Sequence, residues 1–331
     1  MKKRAQLNMS FGWIFALIAG AVILFLTIYG ISSFMDVSQQ QQTSAQAQDL
    51  QILLNPLQTS FSSAVSSYIE RNTPTRIHNR CSVYGDFGDQ IISISEESVD
   101  GWTDRGVPSR FENKYIFSNS TVQGETFYIF SKPFNFPYKV ADLVYLTSAN
   151  KKYCFKSPPE GIKKELNKLN QPNLVVGCSG SNKNSIGVCF SGGGSGCDVS
   201  VDYSKEVDVS SGIVSKNGKE MHFYSDALMY AAVFSDEDTY ECQLGRLFKR
   251  SQNLASVYLN KYSYMDQNAC SNDFRGDLSG LNSSLGFRVP EDPDKLKISD
   301  DYLDSDSGGS QLTATVETLR KANDNSFCSL W

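Results

Sequence analysis

The side chains that most often act in nucleophilic catalysis are sparse in this chain of 331 residues. Its two histidines, His78 and His222, are far apart in sequence, although a serine or cysteine nucleophile needs a base within hydrogen-bond reach. The segment Gly192–Gly196 (GGGSG) lies in a loop between Cys189 and Cys197, without the strand and helix of a nucleophile elbow or the Lys-Ser/Thr of a phosphate loop. We therefore predict no catalytic residue, no cofactor and no enzymatic activity.

Acidic side chains cluster in the segment 291–310, but their spacing does not match a common metal-binding loop. A calcium loop of the EF-hand type needs an oxygen ligand at its fifth position and a bidentate glutamate at its twelfth. Counted from Asp304, these positions hold Gly308 and Thr315. We expect a solvated acidic loop and no metal, with an irregular calcium site as the alternative.

The eight cysteines favour disulfide bonds over a metal site. Their number is even and no CxxC pair occurs, whereas zinc sites need Cys and His at short spacing. Disulfides form in oxidising compartments. Chain order pairs Cys189 with Cys197 across a hairpin-like return, and Cys154 with Cys178 around a short helix. The other four are expected to join the C-terminal helices to one another or to the sheet: Cys81, Cys242, Cys270 and Cys328.

An uncharged apolar run of 24 residues occupies positions 11–34. At ~1.5 Å rise per residue, a helix of this length crosses the ~30 Å hydrocarbon core of a membrane. A secretory signal peptide has a shorter apolar region and a small-residue cleavage site, so we predict a retained transmembrane helix. Lys2, Lys3 and Arg4 precede the run, and the next basic residue is Arg71. The positive-inside rule therefore predicts a single-pass cell-membrane protein with a cytoplasmic N-terminus and an extracytoplasmic C-terminal domain.

The charge of the exported part argues against nucleic-acid binding. Three of the 31 basic residues precede the helix, so 28 remain beside 36 acidic residues, a net charge near −8. A nucleic-acid interface needs a basic patch. Two asparagines of the exported part, Asn119 and Asn282, begin Asn-x-Ser/Thr sequons and are candidate glycosylation sites.

Four segments are predicted along the chain: a cytoplasmic basic segment (1–10), the transmembrane helix (11–34), a stalk or spine helix (35–71) and an extracytoplasmic domain (72–331). The third segment is predicted to be helical because apolar residues from Leu50 to Tyr68 recur at gaps of three and four. It could lie on the domain as a stalk or form an oligomerising spine, and the pattern does not choose between these.

The domain is predicted to be α+β, a mostly antiparallel, disulfide-bonded β-sheet domain with C-terminal helices packed on it. The aromatic segment Tyr115–Tyr138 suits strand cores better than a carbohydrate platform. Asn217 and Gly218 predict a hairpin turn between alternating segments. Short alternating runs predict further strands at 90–94, 114–118, 126–131, 141–147, 173–176, 186–190 and 198–203.

Four helices are expected in the domain, at 159–170, from Ser235 to Tyr262, at 273–285 and at 311–323. Ser235 and Asp238 are predicted to form a capping box at the start of the second helix. Its buried stripe is expected to comprise Tyr240, Leu244, Leu247, Leu254, Val257 and Tyr258.

The residues Lys3-Arg4-Ala5-Gln6-Leu7, directly before the apolar run, resemble the class III signal of archaeal type IV pilin precursors. This resemblance implies that a prepilin peptidase cleaves between Ala5 and Gln6 and that the retained helix continues to Tyr68 as a pilin spine. The polar-leaning stretch 8–10 delays the apolar run, and the domain is larger and richer in cysteine than most pilin heads. The segments 130–148, 235–250 and 328–331 resemble uncharacterised archaeal membrane-anchored surface proteins, for which no activity is implied.

Two functions from different classes follow from these observations. The first is a membrane-anchored extracytoplasmic structural or adhesive surface protein, with a pilin-like subunit as its most specific form. The alternative is a membrane-tethered ligand- or protein-binding module without catalytic activity. The expected partners are the lipid bilayer and either further copies of the chain or other surface proteins, contacted through the helix 11–68, and no nucleic acid.

Overall fold

The computed structural model describes residues 12–30, 66–99, 101–178, 184–190, 197–206, 209–267, 274–286, 296–304 and 309–331. The first described element is helix α1 (Gly12–Gly30), which is 19 residues long, apolar, and without a buried residue. Its length and composition suit either a membrane span or a signal sequence. The described part of the predicted transmembrane segment is therefore helical.

The first sheet has seven strands and follows α1 in the chain. Its strands run in the spatial order β3-β2-β1-β6-β7-β5, and β4 also pairs with β2. All neighbours are antiparallel except β5 and β7, which are parallel. The strands are β1 (Ser66–Ser82), β2 (Asp89–Ser98), β3 (Gly101–Trp102), β4 (Ser109–Phe111), β5 (Ile116–Phe117), β6 (Thr121–Asn135) and β7 (Lys139–Ser148).

The first sheet curls, and its two faces pack against different cores. Ile116 of β5, at one end of the strand order, receives a hydrogen bond from Asn79 of β1 and donates one to Gln90 of β2. One face, with Ile77, Ile92 and other residues, builds a small apolar cluster of its own. The opposite face belongs to the main core of the domain.

The second sheet has six strands in the order β13-β12-β11-β10-β8-β9. Strands β9, β8, β10 and β11 are parallel to one another, and β11, β12 and β13 form an antiparallel meander. Helix α2 (Glu160–Leu169) connects β8 to its parallel neighbour β9, since parallel neighbours need a crossover. The strands are β8 (Lys152–Lys156), β9 (Leu174–Val176), β10 (Ser185–Phe190), β11 (Val199–Glu206), β12 (Val209–Lys216) and β13 (Lys219–Tyr224).

The prediction of an α+β domain is confirmed, but the prediction of a mostly antiparallel sheet is wrong for the second sheet, which is mixed. The error arose because strand β8 was not predicted. Without β8, helix α2 could not be recognised as a crossover between parallel strands.

Helix α3 (Ser225–Phe234) lies between the two sheets, in contact with β6 and β7 on one side and with β12 and β13 on the other. Every residue from Ala227 to Phe234 is buried. The Phe234 ring alone lies 4.8 Å from the Tyr153 ring and 5.7 Å from the Phe130 ring, measured between centroids. The domain core is therefore a helix enclosed by two sheets rather than helices on one face of a single sheet.

The remaining helices pack around one end of this core. Helix α4 (Glu237–Gln267) contacts β1, β5, β7 and β13, and it also contacts α5 (Arg275–Ser284) and α6 (Ile298–Leu303). Helix α7 (Gly309–Asp324) packs on α5 and α6. Three of the predicted helices are confirmed as α2, α5 and α7 with ends shifted by up to two residues, and the fourth as α4, which continues to Gln267. The acidic segment 291–310, predicted to be a loop, contains α6.

Two details of α4 differ from prediction. The capping box of Ser235 and Asp238 is wrong, because the Asp236 carboxylate accepts from the Thr239 amide instead, at 3.2 Å. Ser235 donates its hydroxyl to the Ala231 carbonyl, at the end of α3. In the predicted stripe, Val257 is 59% exposed, because α4 extends beyond the sheets there.

The predicted stalk helix 35–71 is contradicted at its C-terminal end. Residues from Ser66 onward belong to β1 and pair with β6, with Tyr68 opposite Tyr128. A spacing of three and four residues therefore did not indicate a helix at Tyr68. Residues 35–65 lie outside the described part of the chain.

Candidate functional site

A cleft of about 840 Å³ opens between the two sheets. The first sheet contributes the start of β6 and the end of β7, and the second contributes β8 and the starts of β10 and β11. The turn between β12 and β13 and the junction of α3 with α4 complete it. The sequence places these segments far apart, between positions 119 and 236, and only the packing of the two sheets around α3 brings them together.

Part of the inner wall of the cleft consists of polar groups that bind one another, beside apolar residues such as Val122 and Phe234. Thr147 accepts a hydrogen bond from the Asn173 amide at 2.8 Å. Ser148 donates to the Gln123 carbonyl at 2.7 Å, and Asn150 donates to the same carbonyl. Since these partners are used within the protein, the wall is pre-formed and offers few unsatisfied groups to a ligand.

The rim of the cleft differs from the wall. No described residue forms a hydrogen bond with the side chains of Asn119, Asn184, Asn217 or Lys151. Asn184, Asn217 and Lys151 are exposed, and Asn119 is half-buried. Each amide offers two donors and one acceptor. The rim therefore presents mainly neutral hydrogen-bonding groups, and Lys151 is one of its few charged side chains.

The rim is held by short, specific contacts. The Asp198 carboxylate accepts from the Gly187 amide at 2.7 Å, which fixes the start of β11 against β10. The Asp236 carboxylate accepts from the Ser120 amide at 2.7 Å, which ties the turn beside Asn119 to the start of α4. These two carboxylates therefore hold the backbone of the rim in position.

Lys216 lies at the floor of the cleft and is the group that most resembles a reactive amine. Burial lowers its pKa to about 8, and the charge of Asp236 opposes that shift. Its Nζ donates to the Val233 carbonyl at 3.2 Å and to the Ser235 carbonyl, at the C-terminal end of α3. A cation at a helix C-terminus is stabilised by the carbonyls it caps. We assign Lys216 a structural role, because its amine is already bound.

One histidine is hydrogen-bonded to hydroxyl groups inside the first sheet, and the other lies beside two aspartates. His78 is buried in the first sheet, where its Nε2 lies 3.0 Å from the Ser95 hydroxyl and its Nδ1 lies 3.3 Å from the Thr121 hydroxyl. Burial and the neighbouring charge of Arg105 lower its pKa. His222 of β13 lies between Asp300 and Asp304. Among the described residues, no group of three or more His, Cys, Asp or Glu side chains could hold a metal ion.

Three disulfides have both of their cysteines among the described residues. Cys154–Cys178 and Cys189–Cys197 are confirmed as paired. The hairpin expected for the second pair is wrong, since β10 and β11 are parallel. Cys81–Cys242 joins β1 to α4, which confirms the expectation of a link between sheet and helices. Cys328 is disulfide-bonded as well, and Cys270 lies outside the described residues.

A second polar cluster joins α4 to the first sheet. Arg246 of α4 is fully buried, and its guanidinium donates to five backbone carbonyls and to the Gln243 side chain at 2.7 Å. The ring centroid of Tyr115 lies 4.7 Å from the guanidinium carbon. The five carbonyls belong to Phe87, Gly88, Phe111, Glu112 and Lys114. Arg246 therefore fixes the β1–β2 turn and the β4–β5 connection to one helix.

The candidate modification sites have different surroundings. Asn119 lies in the turn between β5 and β6, at the rim of the cleft. Asn282 lies within α5, where its carbonyl accepts from Gln252 of α4 at 3.1 Å. Ala5, Gln6 and the loop 191–196 lie outside the described residues.

Sequence reasoning missed the cleft because no motif marks it. Its rim residues are three asparagines and one lysine in four separate turns, and only their location in turns was foreseeable. The chain matches no protein-family model, and neither a curated protein nor a solved structure is significantly similar to it.

Proposed function

We propose that this chain is a membrane-anchored extracytoplasmic adhesive protein that works as a binding module, with the cleft between the sheets as its ligand site. The observation that carries the proposal is the rim, where the unbonded amides of Asn119, Asn184 and Asn217 surround a pre-formed cavity of about 840 Å³. This volume lies in the range of ligand pockets, which are usually largely pre-formed.

The lining favours a neutral, polar ligand. Lys151 and Lys216 are balanced by Asp198 and Asp236, so the site has no strong field to attract an ion of either sign. Amide side chains match ligands that carry both donors and acceptors, such as saccharide hydroxyls or peptide groups. We infer a hydroxyl- or amide-rich ligand with little net charge.

Helix α1 and the disulfides support the location. An apolar helix of 19 residues fits a membrane anchor, and the disulfides fit an oxidising compartment. The three cations before the helix favour a cytoplasmic N-terminus.

The pilin-like form of the structural hypothesis remains a separate proposal. It requires cleavage between Ala5 and Gln6 and a spine helix, but Ser66 and the residues after it form a strand, so such a helix ends before Ser66. Mass spectrometry of the mature N-terminus tests it: a chain that begins at Gln6 supports the pilin-like form, and one that retains Met1–Ala5 rejects it.

The binding proposal is tested with the detergent-solubilised full chain on saccharide and peptide arrays, followed by titration of the best ligand. The variant Asn119→Ala with Asn184→Ala removes two rim amides, and we expect it to weaken binding about tenfold to a hundredfold, at about 0.5–1.5 kcal/mol for each lost hydrogen bond. Asn260→Ala, on the exposed side of α4, is the matched control. Equal affinities for the rim variant and the control would place the ligand elsewhere.

A further inference from the structure

Helix α6 is a short element whose position depends on its contacts. It has six residues, too few for a stable helix in isolation, and it packs against β13, α4 and α7. Ile298 and Ser299 are buried, and the Tyr302 ring packs on the Phe248 ring of α4 at 5.3 Å. The groups that hold α6 therefore decide whether this part of the core is covered.

One of these groups is a buried carboxylate. Glu241 of α4 is 2% exposed, and its oxygens accept hydrogen bonds from the Ser299 amide at 2.8 Å and the Ser299 hydroxyl at 2.5 Å. No described lysine or arginine forms an ion pair with it. Burial raises the pKa of Glu241 to about 7; the hydrogen bonds from Ser299 oppose this shift and the charge of Asp300 adds to it.

A second titratable group contacts α6 from β13. The His222 Nε2 lies 3.8 Å from an Asp300 oxygen, and its Nδ1 lies 3.9 Å from an Asp304 oxygen. These pairs attract only when the imidazole is protonated.

The other charged groups around α6 have partners of their own. From α7, Glu317 and Arg320 pair with each other at 2.8 Å, and Glu317 also binds Tyr224 of β13. Lys297, directly before α6, pairs with Asp300 at 3.4 Å. On α4, Tyr240 lies beside Glu241, and burial raises its pKa, so it stays neutral. Glu241 is therefore the buried group at this contact that loses its proton near neutral pH.

We propose that α6 is a pH-sensitive latch, which docks more tightly on α4 and β13 as the solution becomes more acidic. When α6 lifts away, Glu241 enters water and loses its proton more readily, so deprotonation favours the undocked state. Glu241 thus couples the docking of α6 to the pH of the solution.

The size of the effect follows from Glu241 alone. With a pKa of about 7 when docked and about 4.5 in water, the undocking equilibrium rises about 70-fold between about pH 5 and pH 8. Hydrogen exchange of α6 amides in the detergent-solubilised full chain, corrected for intrinsic exchange rates, measures this rise. Helix α7 provides an internal reference that should change much less.

One variant tests the role of Glu241. Glu241→Gln is expected to remove most of the pH dependence of the protection of α6. A wild-type α6 whose protection does not fall with rising pH would overturn the latch, as would an unchanged pH dependence in Glu241→Gln.

A measurement on the unaltered protein covers the case in which Glu241→Gln does not fold. The ¹³C resonance of the Glu241 carboxyl should titrate with a midpoint near 7. A midpoint near 4.5, the ordinary value for glutamate, would overturn the proposal. The latch does not depend on what the cleft binds, so it and the proposed function can fail separately.

Discussion

Replacement of Arg246 by methionine should destabilise the domain severely, although it removes a charge from the interior. Met and Arg have similar helix propensities, so helix formation in α4 should not change. The methionine side chain occupies part of the same volume but donates no hydrogen bond. The loss of stability in this variant therefore measures how much the domain depends on the hydrogen bonds from Arg246 to backbone carbonyls.

The expected loss in the free energy of unfolding depends on which of these carbonyls can hydrogen-bond to water once Arg246 is removed. The hydrogen bonds to Lys114, Phe111 and Gly88 are buried, whereas those to Phe87 and Glu112 lie nearer the surface. Each buried acceptor without a partner costs about 1–3 kcal/mol. The variant no longer buries a charge, which offsets part of this cost. We expect a net loss of about 3–5 kcal/mol in the free energy of unfolding.

Urea unfolding of the full chain in detergent, with the disulfides intact, measures this loss. Arg250→Met is the matched control, since Arg250 lies one turn further along α4 and donates from Nε to a single carbonyl, that of Val140, at 2.7 Å. We expect the control to lose about 1 kcal/mol. If the two variants differ by less than about 1 kcal/mol, the carbonyls around Arg246 do not depend on it and this reasoning is wrong.

Three further predictions concern the backbone, the disulfides and the topology. Gly88→Ala should destabilise the domain by at least about 2 kcal/mol more than Gly85→Ala. A Cβ at Gly88 would lie 2.3 Å from the Ser82 carbonyl oxygen, whereas Gly85, also at positive φ, faces open space. Equal losses of stability in thermal unfolding would contradict the clash. Loss of Cys81–Cys242, which spans 161 residues, should lower the free energy of unfolding by about 1.7 kcal/mol more than loss of Cys154–Cys178, which spans 24, in the chain-entropy treatment. Urea unfolding of the two paired serine variants tests this. Equal losses of stability would show that native contacts dominate over chain entropy. Protease added to intact cells should digest the domain and leave a short stub, whereas protection until lysis would place the domain in the cytoplasm.

The sequence predicted those elements whose pattern is local. Asn217 and Gly218 form the predicted turn, with positive φ at both residues, and the strands flanking it pair as expected. The spacing of Cys189 and Cys197 identified a pair even though the geometry assumed for it was wrong. Helix α4 was recognised by its apolar stripe, although every residue from Thr239 to Phe248 is buried and exposed side chains become frequent only in its C-terminal half.

The elements that the sequence did not predict depend on contacts distant in sequence. Helix α3 is buried on all sides, so it has no polar face and shows no amphipathic period. Strand β1 was predicted as part of a helix because Tyr68 continued a spacing that began in the preceding segment. The cleft could not be predicted, since its rim asparagines become neighbours only once α3 holds the two sheets together.

Strand β1 has a mechanical consequence if α1 holds the chain in a membrane and the cleft holds a ligand. Tension then reaches the described part of the domain at Ser66 and runs along β1, which is flanked by β2 and β6. Force along the strand loads both hydrogen-bond ladders in shear, so many bonds must break together. Even if β1 gives way, the disulfide at Cys81 transfers the load to α4, and the released stretch is limited to roughly 55 Å at ~3.5 Å per residue. The released residues include Ile77, which pairs with Val122 of the cleft wall, so the cleft would lose the support of β1 when that strand gives way.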